Sequence, residues 1–175
     1  LDRFSLISNS DCHSPAKLGR EANIFATELS FPALKEALRK PVDEQGRRRF
    51  QATVEFYPEE GKYHCDGHRK CGVCYEPAQT VEADGICPQC GRPMTVGVLY
   101  RVMELADREK AQWPEGSPAV HSLIPLPEVL GELFNCGPAT KKVGTVYGKL
   151  INKFGSEFSI LLDTPIAELN TASPL

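Results

Sequence analysis

The sequence lacks any apolar run long enough to span a lipid bilayer, so it predicts no transmembrane segment and no membrane partner. It also lacks a general excess of basic charge. Its formal net charge is −3 at pH 7, so any contact with DNA must come from local basic patches. No secretory signal is recognisable, which argues against an oxidising compartment and favours a cytoplasmic protein. The 175 residues suffice for one large domain or two small ones.

Two CxxC pairs are the strongest signal in the sequence, and they predict a zinc site. The pairs are Cys71/Cys74 and Cys87/Cys90, separated by twelve residues that let the chain turn back. Two intervening residues allow both sulfurs of a pair to reach one ion about 2.3 Å away. Two disulfides or four ordinary cysteines are the alternatives. Four thiolates leave no open coordination position, so the expected zinc is structural and not catalytic.

Three other potential ligands precede the first pair, and none is expected to bind this zinc. Cys65 could compete, but the two CxxC pairs already complete four positions. His64 and His68 are interpreted as structural histidines, each hydrogen-bonded to a neighbour.

Asp11 and His13 form a candidate metal-binding pair near the start of the chain. They follow residues 1–8, whose alternating pattern predicts a strand. Residues two apart in an extended segment point the same way, so both side chains could reach one metal cluster. Taken alone, an Asp-x-His pair more often marks a turn with an aspartate cap. Because the chain opens on Leu1 and not Met, inside the predicted strand, we expect a fragment cut on its N-terminal side.

The context of this pair resembles the last metal-binding motif of the polymerase-and-histidinol-phosphatase (PHP) domain, in the branch that includes endonuclease Q, a nuclease for deaminated DNA. The motif reads Ser10-Asp11-x-His13-Ser14-Pro15-x-x-Leu18-Gly19-Arg20-Glu21, with Cys12 where the family has a small residue. Four later segments also resemble the family, so the likeness covers almost the whole chain: 61–64, 66–73, 95–102 and 154–158.

This resemblance implies a distorted β/α barrel that holds several metal ions, of Zn, Mn or Mg, and hydrolyses phosphodiesters. Asp11 and His13 would be two ligands of that site. In the family the remaining ligands come from earlier motifs, above all a His-x-His, which this sequence lacks. We therefore expect one wall of an active site, completed by the N-terminal remainder of the PHP domain in the same longer chain. The chain alone should not catalyse.

Basic segments supply the candidate DNA contacts. Residues 62–70 are positively charged and lead into the first CxxC pair, so a rigid, zinc-pinned loop would present Arg69 and Lys70 to a phosphate at a low ordering cost. The run of three arginines at 47–49 is either a solvated loop or a phosphate-contacting patch.

The last part of the chain is predicted to be helical and resembles a helix-hairpin-helix unit. Helical spacing predicts two helices joined by a tight turn: 127–134, 135–138 and about 140–154. In such units the hairpin glycine and the following amides bind DNA phosphate. Gly137, Lys141 and Lys142 are therefore candidate DNA contacts. A plain helical bundle with solvated lysines is the alternative, because this turn has one glycine followed by proline.

These observations predict an α+β chain in three parts. Residues 1–60 would be the C-terminal edge of the PHP barrel, 61–113 a four-cysteine, zinc-ribbon-like insert with a following helix, and 119–175 the helix-hairpin-helix-like domain. The helix after the insert, from Thr95 to about Arg108, shows an apolar stripe. Trp113 is expected to be a packing anchor.

The leading function is the C-terminal part of a metal-dependent endonuclease that acts on deaminated or damaged bases in DNA repair. A zinc-stabilised nucleic-acid or protein interaction module without catalysis is a second possibility. A PHP-type phosphoesterase for small molecules is a third, but a small substrate would need neither the zinc insert nor the lysine-rich hairpin.

Overall fold

The computed structural model describes residues 2–172, with the side chains of 16 and 170–172 excepted. Six helices and five strands follow in chain order: β1 (Ala22–Phe25), α1 (Phe31–Arg39), β2 (Phe50–Glu55), β3 (Asp66–His68), β4 (Val73–Tyr75), α2 (Pro77–Glu82), α3 (Val98–Leu105), β5 (Ala119–Ser122), α4 (Leu126–Leu133), α5 (Lys141–Phe154) and α6 (Ile166–Ala172). Among the described residues no helix has the length and apolar character needed to cross a membrane. The mixed α+β class is confirmed.

The described chain separates into two compact units. The first combines the start of the chain up to Leu6 with Phe25–Gln51 and Tyr57–Pro118. The second combines Ile7–Ile24, Ala52–Phe56 and the chain from Ala119 onwards. The three-part division at 60 and 113 stays a prediction.

The strands form two small sheets. In the three-stranded sheet the order is β1-β2-β5, and β2 runs parallel to β5 with Ala52 opposite Ala119. The other sheet is the antiparallel hairpin β3–β4, in which Asp66 lies opposite Tyr75. A barrel edge is not established by these sheets and stays a prediction.

The strand predicted over residues 1–8 is wrong for its described part, because residues 2–8 form turns and irregular structure. A strand needs a neighbouring strand to take its backbone hydrogen bonds. Here the side chain of Asn23 takes that role for Ser8: its Oδ1 accepts from the Ser8 N–H at 2.9 Å, and its Nδ2 donates to the Ser8 carbonyl at 2.6 Å. Sequence alternation alone therefore did not specify a strand.

The three arginines at 47–49 make hydrogen bonds and an ion pair with other residues of the chain. Arg47 Nε lies 2.8 Å from an Asp43 carboxylate oxygen. Arg48 donates to the carbonyls of Gly116 and Ser117, and Arg49 donates to another backbone carbonyl at 2.9 Å. These contacts fix the loop between α1 and β2. Because the side chains are used in these contacts, the structure favours neither of the two expectations for this run, a solvated loop or a phosphate-contacting patch.

The second unit has its core between its helices. Leu126, Leu130, Val143, Leu150 and Ile160 are buried together. Helices α4 and α5 begin and end within a residue or two of the predicted bounds, and the left-handed Gly155 (φ +93°) ends α5 as expected. The match of this unit to a helix-hairpin-helix stays a prediction.

Glu157 connects three parts of this helical unit. Its Oε1 accepts from the backbone N–H of Leu126 at 2.6 Å, and its Oε2 accepts from the Tyr147 hydroxyl at 3.0 Å. A carboxylate at the first turn of α4 also complements the positive end of the helix dipole. Burial, and then Glu157, raises the pKa of Tyr147.

Helix α3 is shorter than predicted and presents its apolar stripe to solvent. None of its eight described residues is buried. Val98, Val102 and Leu105 are 60%, 56% and 67% exposed. The periodicity identified the apolar face correctly, but the described residues do not cover it.

Two glycines allow close backbone approach around the β3–β4 hairpin. A Cβ on Gly67 would collide with the carbonyl oxygen of Val73, and Gly67 exchanges backbone hydrogen bonds with Thr95 at 2.8 and 2.9 Å. A Cβ on Gly97 would lie 2.5 Å from the carbonyl group of Cys65. The Gly97 N–H also donates to Oδ1 of the buried Asp66 at 2.5 Å. The hairpin and the start of α3 thus form one assembly.

Gly97→Ala should lower the free energy of unfolding of the first unit by about 3 kcal/mol, because the added methyl group meets backbone that cannot move aside. Gly144→Ala is the matched control, since nothing lies within 4 Å of its Cβ position in α5. It should stabilise the second unit by about 0.5–1 kcal/mol through helix propensity. Urea denaturation followed by circular dichroism measures both. Equal stability of Gly97→Ala and the unmutated chain would contradict the close approach.

Candidate metal centre and basic surfaces

Four potential metal ligands converge beside the β3–β4 hairpin: His68, Cys71, Cys87 and Cys90. Their ligand atoms lie within 4.8 Å of one another, and His68 Nδ1 is 3.1 Å from Cys90 Sγ. In a tetrahedral zinc site with bonds of 2.3 Å, sulfur atoms stand about 3.8 Å apart. The group therefore fits a zinc ion with small side-chain adjustments.

The two halves of this group share one local geometry. In each half a glycine in the left-handed region follows the second ligand: Gly72 after Cys71, with φ +66°, and Gly91 after Cys90, with φ +67°. Glycine adopts this conformation without the steric penalty that a Cβ brings. The N–H of Gly91 donates to the Cys87 carbonyl at 2.9 Å, which closes the second turn. The two ligand turns, His68-x-x-Cys71-Gly and Cys87-x-x-Cys90-Gly, therefore share their ligand spacing and the left-handed glycine.

Cys74, expected from the sequence to be a ligand, lies outside this group of described residues. In the hairpin Cys74 is opposite Gly67, whereas His68 is opposite Val73. Side chains alternate between the faces of a strand, so Cys74 and His68 point to opposite faces of the hairpin. The structure therefore brings together three of the four predicted cysteines, with His68 in the fourth position.

Cys65 and Cys74 contact each other instead. Burial, and then a hydrogen bond with Cys74, raises the pKa of the Cys65 thiol. Cys65 lies outside the four-ligand group that the described residues form. His68, interpreted as a structural histidine hydrogen-bonded to a neighbour, contacts Cys90 Sγ at 3.1 Å and also belongs to the four-ligand group.

The pKa values of Cys71 and Cys87 are shifted in opposite directions. A hydrogen bond with Cys90, then burial and Cys87, raises the pKa of Cys71 to about 11. Burial also acts to raise the pKa of Cys87, but hydrogen bonds from the Gln89 amide and the His68 ring outweigh it and lower that pKa to about 6. Neighbouring thiolates repel one another, so a bound cation would favour ionisation of Cys71 beside Cys87. This is the behaviour expected of a zinc-binding donor set.

Asp11 and His13 lie together on an exposed segment. His13 Nε2 is 3.6 Å from Asp11 Oδ2, and both side chains are fully exposed. Within residues 2–172, no third His, Cys, Asp or Glu joins them to form a metal-binding group. The structure thus places the predicted pair side by side, with two potential ligands.

The candidate DNA contacts lie at two places, one in each unit. Arg69 and Lys70 are exposed on the turn between His68 and Cys71. Lys141 and Lys142 occupy the first turn of α5, just after the exposed Gly137. Lys142 is not a simple solvated lysine, because its Nζ lies 4.2 Å from the ring centre of Phe134. The assignment of these residues to DNA contact stays a prediction.

Comparison with known proteins adds relatives over the whole chain. Residues 125–175 match the family described as the MJ0043 C-terminal domain. The chain is 33% identical over 182 residues to the uncharacterized protein MJ0043 of Methanocaldococcus jannaschii, and 31% identical over 176 residues to the uncharacterized protein YqxK of Bacillus subtilis. Each alignment covers 99% of this chain, but only 22% of the first relative and 40% of the second.

Two solved structures are similar in fold and sequence. One is the lesion-specific endonuclease PfuEndoQ from Pyrococcus furiosus, with a TM-score of 0.84 and 29% identity over 98% of this chain and 42% of that chain. The other is endonuclease Q in complex with a 27-mer duplex substrate that has an abasic lesion at the active site, with a TM-score of 0.79, 28% identity and 44% of that chain covered. The chain is therefore similar to a part of endonuclease Q and spans less than half the length of these relatives.

Zinc content distinguishes the two ligand sets. Substitution of any one ligand should reduce zinc from about one ion per chain to a small fraction, because it removes one of four ligands. The variants are His68→Ala, Cys71→Ser, Cys87→Ser and Cys90→Ser. Elemental analysis after dialysis against a chelator measures the loss. Cys74→Ser and His64→Ala are the matched controls and should keep their zinc. Loss in Cys74→Ser with retention in His68→Ala would favour the four-cysteine set instead.

Proposed function

We propose that this chain is part of a DNA-repair endonuclease of the endonuclease Q type, acting on deaminated or otherwise damaged bases. The observation that carries the proposal is the similarity to a lesion-specific endonuclease over 98% of the chain, at a TM-score of 0.84. The neighbour solved with a lesion-containing duplex supports DNA as the partner. Because the chain spans less than half of those proteins, we assign cleavage to a longer protein that contains it, not to these residues alone.

In this proposal Asp11 and His13 supply two ligands of the catalytic metal site. Their contact distance of 3.6 Å and full exposure suit a half-site that a second protein surface completes. That surface would be the N-terminal remainder of a PHP domain in the same longer chain. Bound Zn, Mn or Mg would stabilise the charge that develops on the phosphodiester and activate a water molecule. The chain's own contribution is to hold a carboxylate and an imidazole on one side of that site.

Apolar side chains near this pair support the same arrangement. Ile7 and Leu18, which lie in the same unit as the pair, are exposed in the segments on either side of it, at 51% and 80%. Exposed apolar side chains beside a half-site suit a surface that another part of a protein covers. A covering domain would bury them and complete the metal site in one step.

The zinc group has a structural role in this proposal. Four protein ligands leave no position for a substrate or water molecule, so the ion would not take part in cleavage. Its effect is to fix the turn between His68 and Cys71. Arg69 and Lys70 on that turn would then meet a DNA phosphate without much loss of freedom.

The helical unit would provide a second phosphate contact. The turn at Gly137 leads into the N-terminus of α5, where backbone amides and the helix dipole favour an anion. Lys141 and Lys142 add charge at the same end. Between residues 133 and 156 the sequence has four lysines and no Asp or Glu.

Substitution of the proposed metal ligands tests the catalytic role. In a longer protein that contains this chain, Asp11→Ala and His13→Ala should each abolish cleavage of duplexes that contain uracil or hypoxanthine, because loss of a ligand displaces a catalytic ion. DNA binding, measured by fluorescence anisotropy, should stay nearly unchanged. Asp163→Ala, at another exposed aspartate, is the control and should cleave normally.

The 175-residue chain alone should not cleave these substrates. Robust cleavage by the isolated chain, or full activity of Asp11→Ala in the longer protein, would refute the assignment. Zinc binding and DNA binding with no cleavage in the longer protein would instead favour an interaction module.

The salt dependence of DNA binding tests the basic contacts. Each side chain that neutralises a phosphate contributes roughly 0.9 to the slope of log affinity against log salt. A double substitution that removes two such side chains should therefore reduce the slope by roughly 1.8. The two variants are Arg69→Ala/Lys70→Ala and Lys141→Ala/Lys142→Ala. Lys35→Ala, an exposed lysine on α1, is the control. An unchanged slope in the Lys141/Lys142 variant, with an unchanged melting curve, would make α5 a scaffold.

A further inference from the structure

Arg20 has a half-buried positive charge that the described chain does not neutralise. Its Nε is buried and has no hydrogen-bond acceptor among the described residues. The other nitrogens of its guanidinium likewise make no hydrogen bond or ion pair within that part of the chain. A partly desolvated cation without an acceptor is costly, and an anion bound to the guanidinium would offset that cost.

The other two buried, unpaired side-chain atoms of the described residues belong to groups that are bonded through a second atom. Arg49 donates from Nη2 to the Lys40 carbonyl at 2.9 Å. Asp66 accepts from the Gly97 N–H through Oδ1. The fold thus already uses both of those side chains. Of these three residues, Arg20 alone uses none of its donors inside the described chain.

An aromatic ring holds the guanidinium of Arg20. Its Cζ lies over the ring of Phe56, 5.3 Å from the ring centre, and Phe56 directly follows β2. A cation–π contact of this kind holds a guanidinium by its face and consumes none of its N–H donors. The donors are therefore partly oriented before a ligand arrives, so less freedom is lost on binding.

Arg20 and the proposed metal pair lie on one closed loop of the second unit. The loop spans residues 8–23, and the side chain of Asn23 closes it through its two hydrogen bonds with Ser8, at 2.9 and 2.6 Å. Asp11 is three residues from one end of this closure, and Arg20 is three residues from the other. Three residues span at most about 11 Å, so neither can lie far along the backbone from the closure. Compact loops with joined ends are frequently functional.

The charge of Arg20 identifies the class of its ligand, which exposure alone cannot do. Trp113, for example, is 68% exposed, so the expectation that it is a packing anchor is wrong, but its exposure selects no partner. A guanidinium binds anions, and its planar donors fit two oxygens of one phosphate or carboxylate. Phosphate is favoured here because Asp11 and His13, on the same loop, are the proposed ligands of a metal that acts on a phosphodiester.

We propose that Arg20 binds a phosphodiester of the DNA strand that the Asp11/His13 half-site holds. This inference rests on the proposed function and adds to it one substrate-binding residue. The guanidinium would contact the two unesterified oxygens of a single phosphate and so fix the position of the strand beside the metal site. A phosphate contact reads no base, so it would act equally on strands of any sequence.

DNA binding by a longer protein that contains this chain tests the contact. The probe is a duplex with one uracil, titrated by fluorescence anisotropy without added metal. Arg20→Ala should weaken binding roughly 10- to 100-fold, because charge-assisted hydrogen bonds are lost. It should also reduce the slope of log affinity against log salt by roughly 0.9. Arg20→Lys keeps the charge but not the planar donors, so it should keep the slope and recover part of the affinity.

Uncharged linkages locate the phosphate. Each phosphodiester near the uracil is replaced in turn by a methylphosphonate, and binding is measured again. We expect one position at which the replacement weakens binding of the unmutated protein but not of Arg20→Ala, because both changes remove the same interaction. A structural role of Arg20 would leave the two losses additive at every position.

Two further variants complete the test. Arg39→Ala, at an exposed arginine on α1, is the matched control and should bind with unchanged affinity and slope. Phe56→Leu removes the ring beneath the guanidinium but keeps the charge, so it should weaken binding less than Arg20→Ala. Melting curves followed by circular dichroism show which variants fold. If Arg20→Ala does not fold, the affinities of Arg20→Lys and Phe56→Leu decide the outcome.

The outcomes separate this inference from the proposed function. If Arg20→Ala binds with unchanged affinity and slope while Asp11→Ala abolishes cleavage, the phosphate contact is overturned and the proposed function stands. A lower melting temperature of Arg20→Ala with unchanged affinity and slope would also overturn it, and would assign Arg20 to a carboxylate of another domain. If the longer protein neither binds nor cleaves the damaged duplex, the proposed function fails, and this inference fails with it.

Discussion

The assembly around the candidate metal-binding group consists of short elements that a bound zinc ion would cross-link. Strands β3 and β4 have three residues each, and α2 has six. A two-stranded hairpin and a helix of this length are marginal in water by themselves. A structural zinc site typically contributes about 10–16 kcal/mol of apparent binding free energy, which is enough to order such a segment. His68, Cys71, Cys87 and Cys90 are placed to provide that cross-link.

Close backbone packing supports the same assembly from its other side. Gly67 and Gly97 let strand, loop and helix approach within distances that any Cβ would prevent. The buried Asp66 then accepts a hydrogen bond at the start of α3. The residues that resemble the endonuclease Q family in this stretch thus include glycines with a steric reason to be there.

Local signals predicted much of the fold, and each error has a physical cause. The end of α5 at residue 154 was predictable, because a helix stop acts through neighbouring residues. The number of intervening residues could not distinguish the ligand pair His68/Cys71 from the pair Cys71/Cys74, because both pairs have two. The glycine that follows Cys71 and Cys90 was the signal that could have decided it. The strand predicted at 1–8 is wrong and the stripe of α3 is left uncovered by the described residues, because a pattern identifies an apolar face but not what covers it.

A histidine in place of a fourth cysteine changes the charge of the proposed zinc centre. A zinc ion with three thiolates and a neutral imidazole has a net charge of about −1, whereas four thiolates give about −2. Arg69 and Lys70 lie on the turn between two of the ligands, so this difference acts on them at short range. With His68 as a ligand, the ion and its turn together remain net positive. The centre would then attract a polyanion where a four-cysteine centre would be close to neutral.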